Sequence, residues 1–211
     1  MKRRLRLCLW LRTLTMATKT PLRTERSELR LYPIDAEWSA RLPALAAEID
    51  EQLDHHPQIM IFGKLAHQNR SVSFFSDTSV GYYYSGKLAA SKPLTDSLRA
   101  LLAYINQQFD AEFNGILINK YDGGEESIGK HSDDEKALDR RAGVVALSTG
   151  AVRTFRIRDK ATGKIVADVP MHPDYVMQMW GDFQKEFTHE IPVEKRVKGA
   201  RYSFTFRKHL L

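Results

Sequence analysis

The sequence predicts an α+β fold, a double-sheet jelly roll flanked by helices, on three observations. Two segments in the first half carry apolar residues at spacings of three and four. Most of the remaining chain alternates with period two or is rich in β-branched and aromatic residues. Frequent glycine-containing turn signals cut that material into short runs. An open β-sandwich of another topology is the second reading.

The first helix is expected over 33–54, where Trp38, Leu42, Leu45, Ile49 and Leu53 recur on one face behind Pro33. The second is expected over 93–109, on Leu94, Leu98, Leu101, Leu102, Ile105 and Phe109, again opened by a proline. Strands are expected over 58–62, 71–75, 80–85, 113–121, 143–149, 152–158, 164–169, 174–180, 186–191 and 200–207. Gly63, Asp122-Gly123-Gly124, Thr149-Gly150, Thr162-Gly163 and Gly181-Asp182 supply turns between them. There is no internal repeat, low-complexity tract or long linker.

A chain of 211 residues suffices for one domain with a substantial core. Its single cysteine, Cys8, excludes a disulfide framework and a cysteine-rich zinc site, so any metal must rest on histidines and carboxylates. The net charge of +6 invites a nucleic-acid partner. That excess sits in residues 1–30, with nine basic and two acidic side chains, and the rest is close to neutral. The expectation is therefore a basic arm over 1–30, either a solvated tail or a phosphate-binding arm, and a single domain over 31–211. Two further clusters, Arg153, Arg156, Arg158, Lys160 and Lys164, and Lys195, Arg196 and Lys198, are large enough to grip phosphates.

Residues 1–15 begin like a signal peptide, but Arg12 interrupts the apolar run. A transit segment, an amphipathic surface helix and an extension upstream of a start at Met16 all remain open. No stretch approaches membrane-spanning length, so no stable membrane association is expected. The compartment is read as intracellular, cytoplasm or nucleus, with an organelle-targeting N-terminus as the alternative.

The chemistry begins at His131-Ser132-Asp133. Residues two apart in an extended segment point the same way, so imidazole and carboxylate can share a cation. A lone His-x-Asp pair is most often a surface histidine beside acidic residues. His189, in strand 186–191, is the candidate third ligand; by itself it reads as well as a core histidine. Two histidines and one carboxylate are the ligand set of non-haem iron(II) oxygenases. The last strand places Tyr202, Phe204 and Phe206 on one face and Arg201, Ser203, Thr205 and Arg207 on the other. That pattern fits an edge strand facing water as readily as the floor of an anion pocket. Asn119 and Tyr121 point together at the end of strand 113–121 and can donate to the same anion, or only open the turn that follows.

Ile118-Asn119-Lys120-Tyr121, Ile128 through Glu135, His189, and Arg201-Tyr202-Ser203-Phe204-Thr205-Phe206-Arg207, in this order, resemble the AlkB family, most of all its DNA-repair branch. The resemblance covers about residues 58–209. It implies a double-stranded β-helix (jelly roll) with a nucleotide-recognition lid over 58–92. It implies iron(II) on His131, Asp133 and His189, with 2-oxoglutarate and O2 as cosubstrates. Arg201, helped by Tyr121, matches the residue that holds the far carboxylate of 2-oxoglutarate. Arg207 and Asn119 match those near the carboxylate beside the keto group. Ser203 stands where the family has asparagine, a change that removes or water-bridges one hydrogen bond to the cosubstrate.

In the lid, Ile61-Phe62-Gly63-Lys64 resembles a hairpin whose aromatic, here Phe62, wedges into duplex DNA. Tyr82 and Tyr84 match the wall of the base pocket, Tyr84 facing His131 across the base. Asp134 and Glu135 match acidic residues at the base edge, suited to cationic 1-methyladenine or 3-methylcytosine. The implied activity is oxidative demethylation of N-alkylated bases in DNA by a monomer, with RNA or protein as alternative substrates. Without a competent metal site, the chain would instead read as a non-catalytic nucleic-acid-binding jelly roll.

Overall fold

The computed structural model describes residues 19–210 except 62, 80, 85, 86, 136, 137, 140 and 142. In chain order its strands begin with β1 (Lys19–Arg23), β2 (Ser27–Pro33), β3 (Gln58–Ile61), β4 (Lys64–His67), β5 (Ser71–Phe75), β6 (Gly81–Tyr84) and β7 (Lys87–Ala90). They continue with β8 (Gly115–Tyr121), β9 (Ile128–His131), β10 (Val144–Gly150), β11 (Arg153–Asp159) and β12 (Ile165–Met171). The last three are β13 (Tyr175–Gly181), β14 (Phe187–Ile191) and β15 (Arg201–Arg207). Three helices, α1 (Ala36–Ile49), α2 (Asp96–Phe109) and the one-turn α3 (Phe183–Glu186), complete the set among the described residues.

Both long helices start at side-chain caps. Asp35 accepts from the Glu37 N–H and Thr95 from the Leu98 N–H, each satisfying a donor that lacks an intrahelical partner. Their apolar stripes behave as the spacing requires: Trp38, Leu42, Leu45 and Ile49 of α1, and Leu98, Leu101 and Ile105 of α2, are buried. The first helix is shorter than the expected 33–54. Pro33 closes β2, and after Ile49 the chain tightens into a 3-10 turn at Asp50–Gln52.

A seven-stranded antiparallel sheet runs β1-β2-β13-β10-β15-β8-β5, and a four-stranded one runs β12-β11-β14-β9. The helices cover one face of the large sheet, packing on Ile116, Ile118, Val145, Leu147, Phe204 and Phe206. The small sheet covers the other, and Tyr121, Ala146, Phe155, Ile157, Met177 and Met179 fill the space between. Period-two alternation therefore divides each central strand between two interiors: Phe204 and Phe206 point to the helices, Arg201, Ser203, Thr205 and Arg207 to the inter-sheet cavity. The hairpins β3–β4 and β6–β7 stand apart as two-stranded sheets in the expected lid.

One expectation is corrected. The basic arm does not extend to residue 30: β2 pairs along its length with β13, with Leu29 fully buried and Leu31 nearly so. The charged residues of 1–30 hid the alternation of Leu29 and Leu31 between Glu28 and Arg30. Of the two readings left open for the last strand, the structure selects the pocket floor, since β15 lies between β10 and β8 with Arg201 and Arg207 lining the inter-sheet cavity. No helix among the described residues is long and apolar enough to cross a membrane.

Candidate metal centre

Strand pairing brings the histidines together. In the β14–β9 pair, His189 is directly opposite His131, so both side chains rise from the same face, with ring centroids 4.3 Å apart. Asp133 follows β9 in a segment fastened from below. Ser132 Oγ donates to the Phe187 carbonyl at 2.8 Å, and the Asp133 N–H donates to Gln184 Oε1 at 2.9 Å. The Nε2 atoms of His131 and His189 then lie 3.9 and 3.8 Å from the Asp133 carboxylate oxygens, and one ligand atom from each of the three lies within 4.8 Å of the others.

The electrostatics fit a cation. Burial pushes His189 down to about 3, and His131 is lowered for the same reason, with the Arg70 and Arg207 charges adding to it. Both rings are thus neutral at pH 7. Burial opposes ionisation of Asp133, but the Arg207 guanidinium beside it holds its carboxyl below its ordinary value. A carbonyl only accepts, so the 2.9 Å contact from His131 Nδ1 to the Gly129 carbonyl fixes the proton on Nδ1 and leaves the Nε2 lone pair for a metal. Phe155 stacks on His189 at 4.9 Å and holds its ring plane. Two neutral imidazoles and one carboxylate make a donor set suited to iron(II) with open positions remaining.

Beside these residues lies a cavity lined by Asn119, Tyr121, Arg201, Ser203, Thr205 and Arg207, all six sequence candidates for anion binding. Arg201 is 2% exposed. Its Nη2 donates to Ser148 Oγ at 2.7 Å and to Ser203 Oγ at 3.3 Å, while its buried Nε and Nη1 have no hydrogen-bond partner among the described residues. Buried guanidinium donors left over in this way call for an anion. Ser203 therefore has a role the sequence reading missed, as an acceptor that orients Arg201. Arg207 Nη2 is 2.6 Å from Asp133 Oδ1, which ties the anion pocket to the metal site.

Other candidates fall differently. Asp134 pairs with Lys160 at 3.3 Å, and Glu135 approaches Arg207 Nη1 at 3.4 Å, so both acidic residues have partners within the fold. Gly63, at φ 74°, makes the turn between β3 and β4, and Lys64 begins β4, exposed. Phe62 lies outside the described residues, as do the side chains of Tyr82 and Tyr84. Four of the five cations in the Arg153–Lys164 run are paired with acids of the fold. Arg153 is 1% exposed and spans Glu194 and the carbonyls of Gly123, Glu126 and Pro192. Arg156, Arg158 and Lys160 pair with Asp168, Glu190 and Asp134. The acids come from β12, β14 and the metal loop, which no local pattern reveals. Sequence reasoning also missed Arg70, Ser148 and Gln184, isolated polar residues that only the assembled sheets bring to the site.

Comparison with known proteins is consistent with this geometry. A family model described as the 2OG-Fe(II) oxygenase superfamily matches residues 37–207. "DNA oxidative demethylase ALKBH2" of Homo sapiens is 30% identical over 161 residues, covering 73% of this chain and 62% of that protein. "Alpha-ketoglutarate-dependent dioxygenase alkB homolog 3" of Homo sapiens is 32% identical over 118 residues, covering 52% of this chain and 41% of that one. The chain thus spans less than two thirds of the length of these relatives. A solved structure titled "The structure of OsALKBH1" superposes with a TM-score of 0.55 at 15% identity, over 90% of this chain and 100% of that one, and bears on the fold alone.

Proposed function

The chain belongs to the 2OG-Fe(II) oxygenase superfamily, in its AlkB family, and from that premise we propose that it removes methyl groups from N-alkylated bases of DNA by oxidation. The single observation that carries the reading is the convergence of His131, Asp133 and His189 beside the buried, anion-seeking Arg201.

In this reading the two Nε2 atoms and the Asp133 carboxylate hold iron(II). Arg201, oriented by Ser148 and Ser203 and lying 5.4 Å from the Tyr121 ring centroid, binds one carboxylate of 2-oxoglutarate. Arg207, Asn119 and Thr205 line the remainder. When bound, the metal and cosubstrate supply the chemistry by which O2 and the keto acid yield succinate and CO2 while the N-methyl group leaves as formaldehyde. The protein's own contribution is position and dryness: Phe155, Met177 and Ile191 exclude water around the ligands.

DNA is favoured as substrate by three features. Both relatives above carry names of this chemistry, and one is named a DNA demethylase. The β3–β4 hairpin exposes the cross-strand pair Met60 and Leu65 near its Gly63 turn, apolar surface suited to a wedge against unstacked bases. Lys195 and Arg196 are exposed, as is Lys198, in the loop before β15, available for phosphates. Tyr82 and Tyr84 of the lid, and Asp134 and Glu135 after β9, are assigned to the base pocket on the resemblance.

The test is incubation with iron(II), 2-oxoglutarate and a panel of oligonucleotides carrying 1-methyladenine or 3-methylcytosine, in duplex DNA, single-stranded DNA and RNA. Loss of 14 mass units per lesion, about one CH2, together with succinate release, is the expected result. Unchanged oligonucleotide masses across the panel would overturn the proposal. Reaction on RNA alone would transfer it to the RNA reading.

A further inference from the structure

We infer that Arg70 is a positioning residue for the cosubstrate, which turns the Asn119 side chain so that its NH2 group, not its carbonyl, meets the ligand. This rests on reading the inter-sheet cavity as a 2-oxoglutarate site.

Arg70 is 3% exposed yet does not line that cavity. It sits behind it, in the short connection between β4 and β5, and its Nε reaches Asn119 Oδ1 at 2.6 Å. A guanidinium has donors only, so the bonded end of the amide must be oxygen. Nδ2 is thereby left at the other end. It makes no hydrogen bond among the described residues, and Asn119 lines the cavity opposite Ser203 in the β8–β15 pair. The two ends of an amide are nearly equal in shape, so packing alone selects neither. Presented with oxygen outward, Asn119 would repel a carboxylate; presented with nitrogen outward, it donates to one.

The backbone on either side of Arg70 is held. Asn69 Nδ2 donates to the Glu125 carbonyl at 2.9 Å, and the Ser127 N–H donates to the Asn69 carbonyl at 3.0 Å. Ser71 pairs with Lys120 in the β5–β8 ladder, one residue from Asn119. Arg70 therefore approaches Asn119 from a fixed base, which is what orienting a freely flipping amide requires.

The test is calorimetric titration of 2-oxoglutarate into manganese(II)-loaded protein without oxygen, for wild type, Arg70→Met, Asn119→Ala and the double variant. If Arg70 acts through Asn119, each single change weakens binding about tenfold and the double change weakens it no further. Manganese(II) affinity itself, measured without 2-oxoglutarate, should not fall, whereas a general loss of structure would lower it. Unaltered binding by Arg70→Met, or a double variant whose loss is the product of the two single losses, overturns the inference. Should Arg70→Met not fold, Arg70→Lys carries the same cycle, since a rotatable ammonium lacks the fixed fork. A wild-type protein that does not bind 2-oxoglutarate at all defeats the pocket assignment itself, before any Arg70 comparison is made.

Discussion

Arg207 and Asp133 form an ion pair of 2.6 Å in which both side chains are almost wholly buried. It joins the two halves of the candidate site, because Asp133 also stands between the two histidines and Arg207 lines the anion cavity. A buried charge left without its partner costs several kcal/mol, so neither half is expected to tolerate loss of the other.

Asp133→Asn should therefore do two separable things. Metal affinity should drop by at least about 100-fold, because an anionic ligand is lost. The metal-free protein should lose about 3 kcal/mol of stability, because the buried Arg207 loses its closest anionic partner. Urea denaturation without metal reads the second effect, and an unchanged midpoint would contradict the pairing.

Arg201→Lys should weaken 2-oxoglutarate binding by roughly 10- to 100-fold, because one rotatable ammonium cannot replace planar donors aimed from a buried position. The Michaelis constant for 2-oxoglutarate, at saturating iron, reports this. A change within twofold would mean that Nε and Nη1 of Arg201 do not meet the ligand.

Arg153 and Arg156 lie on opposite faces of β11, one buried and one at the surface, and carry opposite expectations. Arg153→Met removes a buried guanidinium that ties Glu194 to three carbonyls, and should cost about 3 kcal/mol. Arg156→Met breaks a solvent-exposed pair with Asp168 and should cost less than about 1 kcal/mol. Thermal melting of the two variants side by side is sufficient, and similar losses would remove the distinction.

His209 gives a pH dependence of defined sign. Burial, with Arg207 behind it, pushes the ring down to about 4 from its ordinary 6.5. The unfolded chain thus takes up the proton first as pH falls. The stability in question is complete above 6.5 and is lost progressively towards pH 4. His131 and His189 act in the same direction, so the comparison is with His209→Phe. Between pH 7 and pH 4.5 the wild-type urea midpoint should fall further than that of the variant; parallel curves would show that His209 does not contribute.

Lys195, Arg196 and Lys198 changed together to alanine should weaken binding to duplex DNA whatever its sequence. They should also flatten the dependence of log K on log salt by up to about 3 units, roughly one for each phosphate contact removed. An unaltered slope would show that this loop does not meet the backbone.

Local order was legible in the sequence because helix and strand periodicity are properties of neighbouring residues. The stripe of Trp38, Leu42, Leu45 and Ile49, the strands near 71–75, 144–150 and 201–207, and the two-faced pattern of β15 all follow from spacing. The ordered motifs around His131, Asp133, His189, Arg201 and Arg207 likewise marked the candidate site. What spacing does not contain is which strand lies beside which, and what covers each face. The alternation of β15 fits an edge strand or a pocket floor equally well; only its place between β10 and β8, under the four-stranded sheet, turns Arg201 and Arg207 inward. The same holds for Arg153, one of a run of cations in sequence, whose acid arrives from Glu194, and for Arg70, which meets Asn119 only when β5 pairs with β8. Charge and hydrogen-bond partners act over a few ångströms in space, and only the tertiary pairing of distant strands decides who those neighbours are.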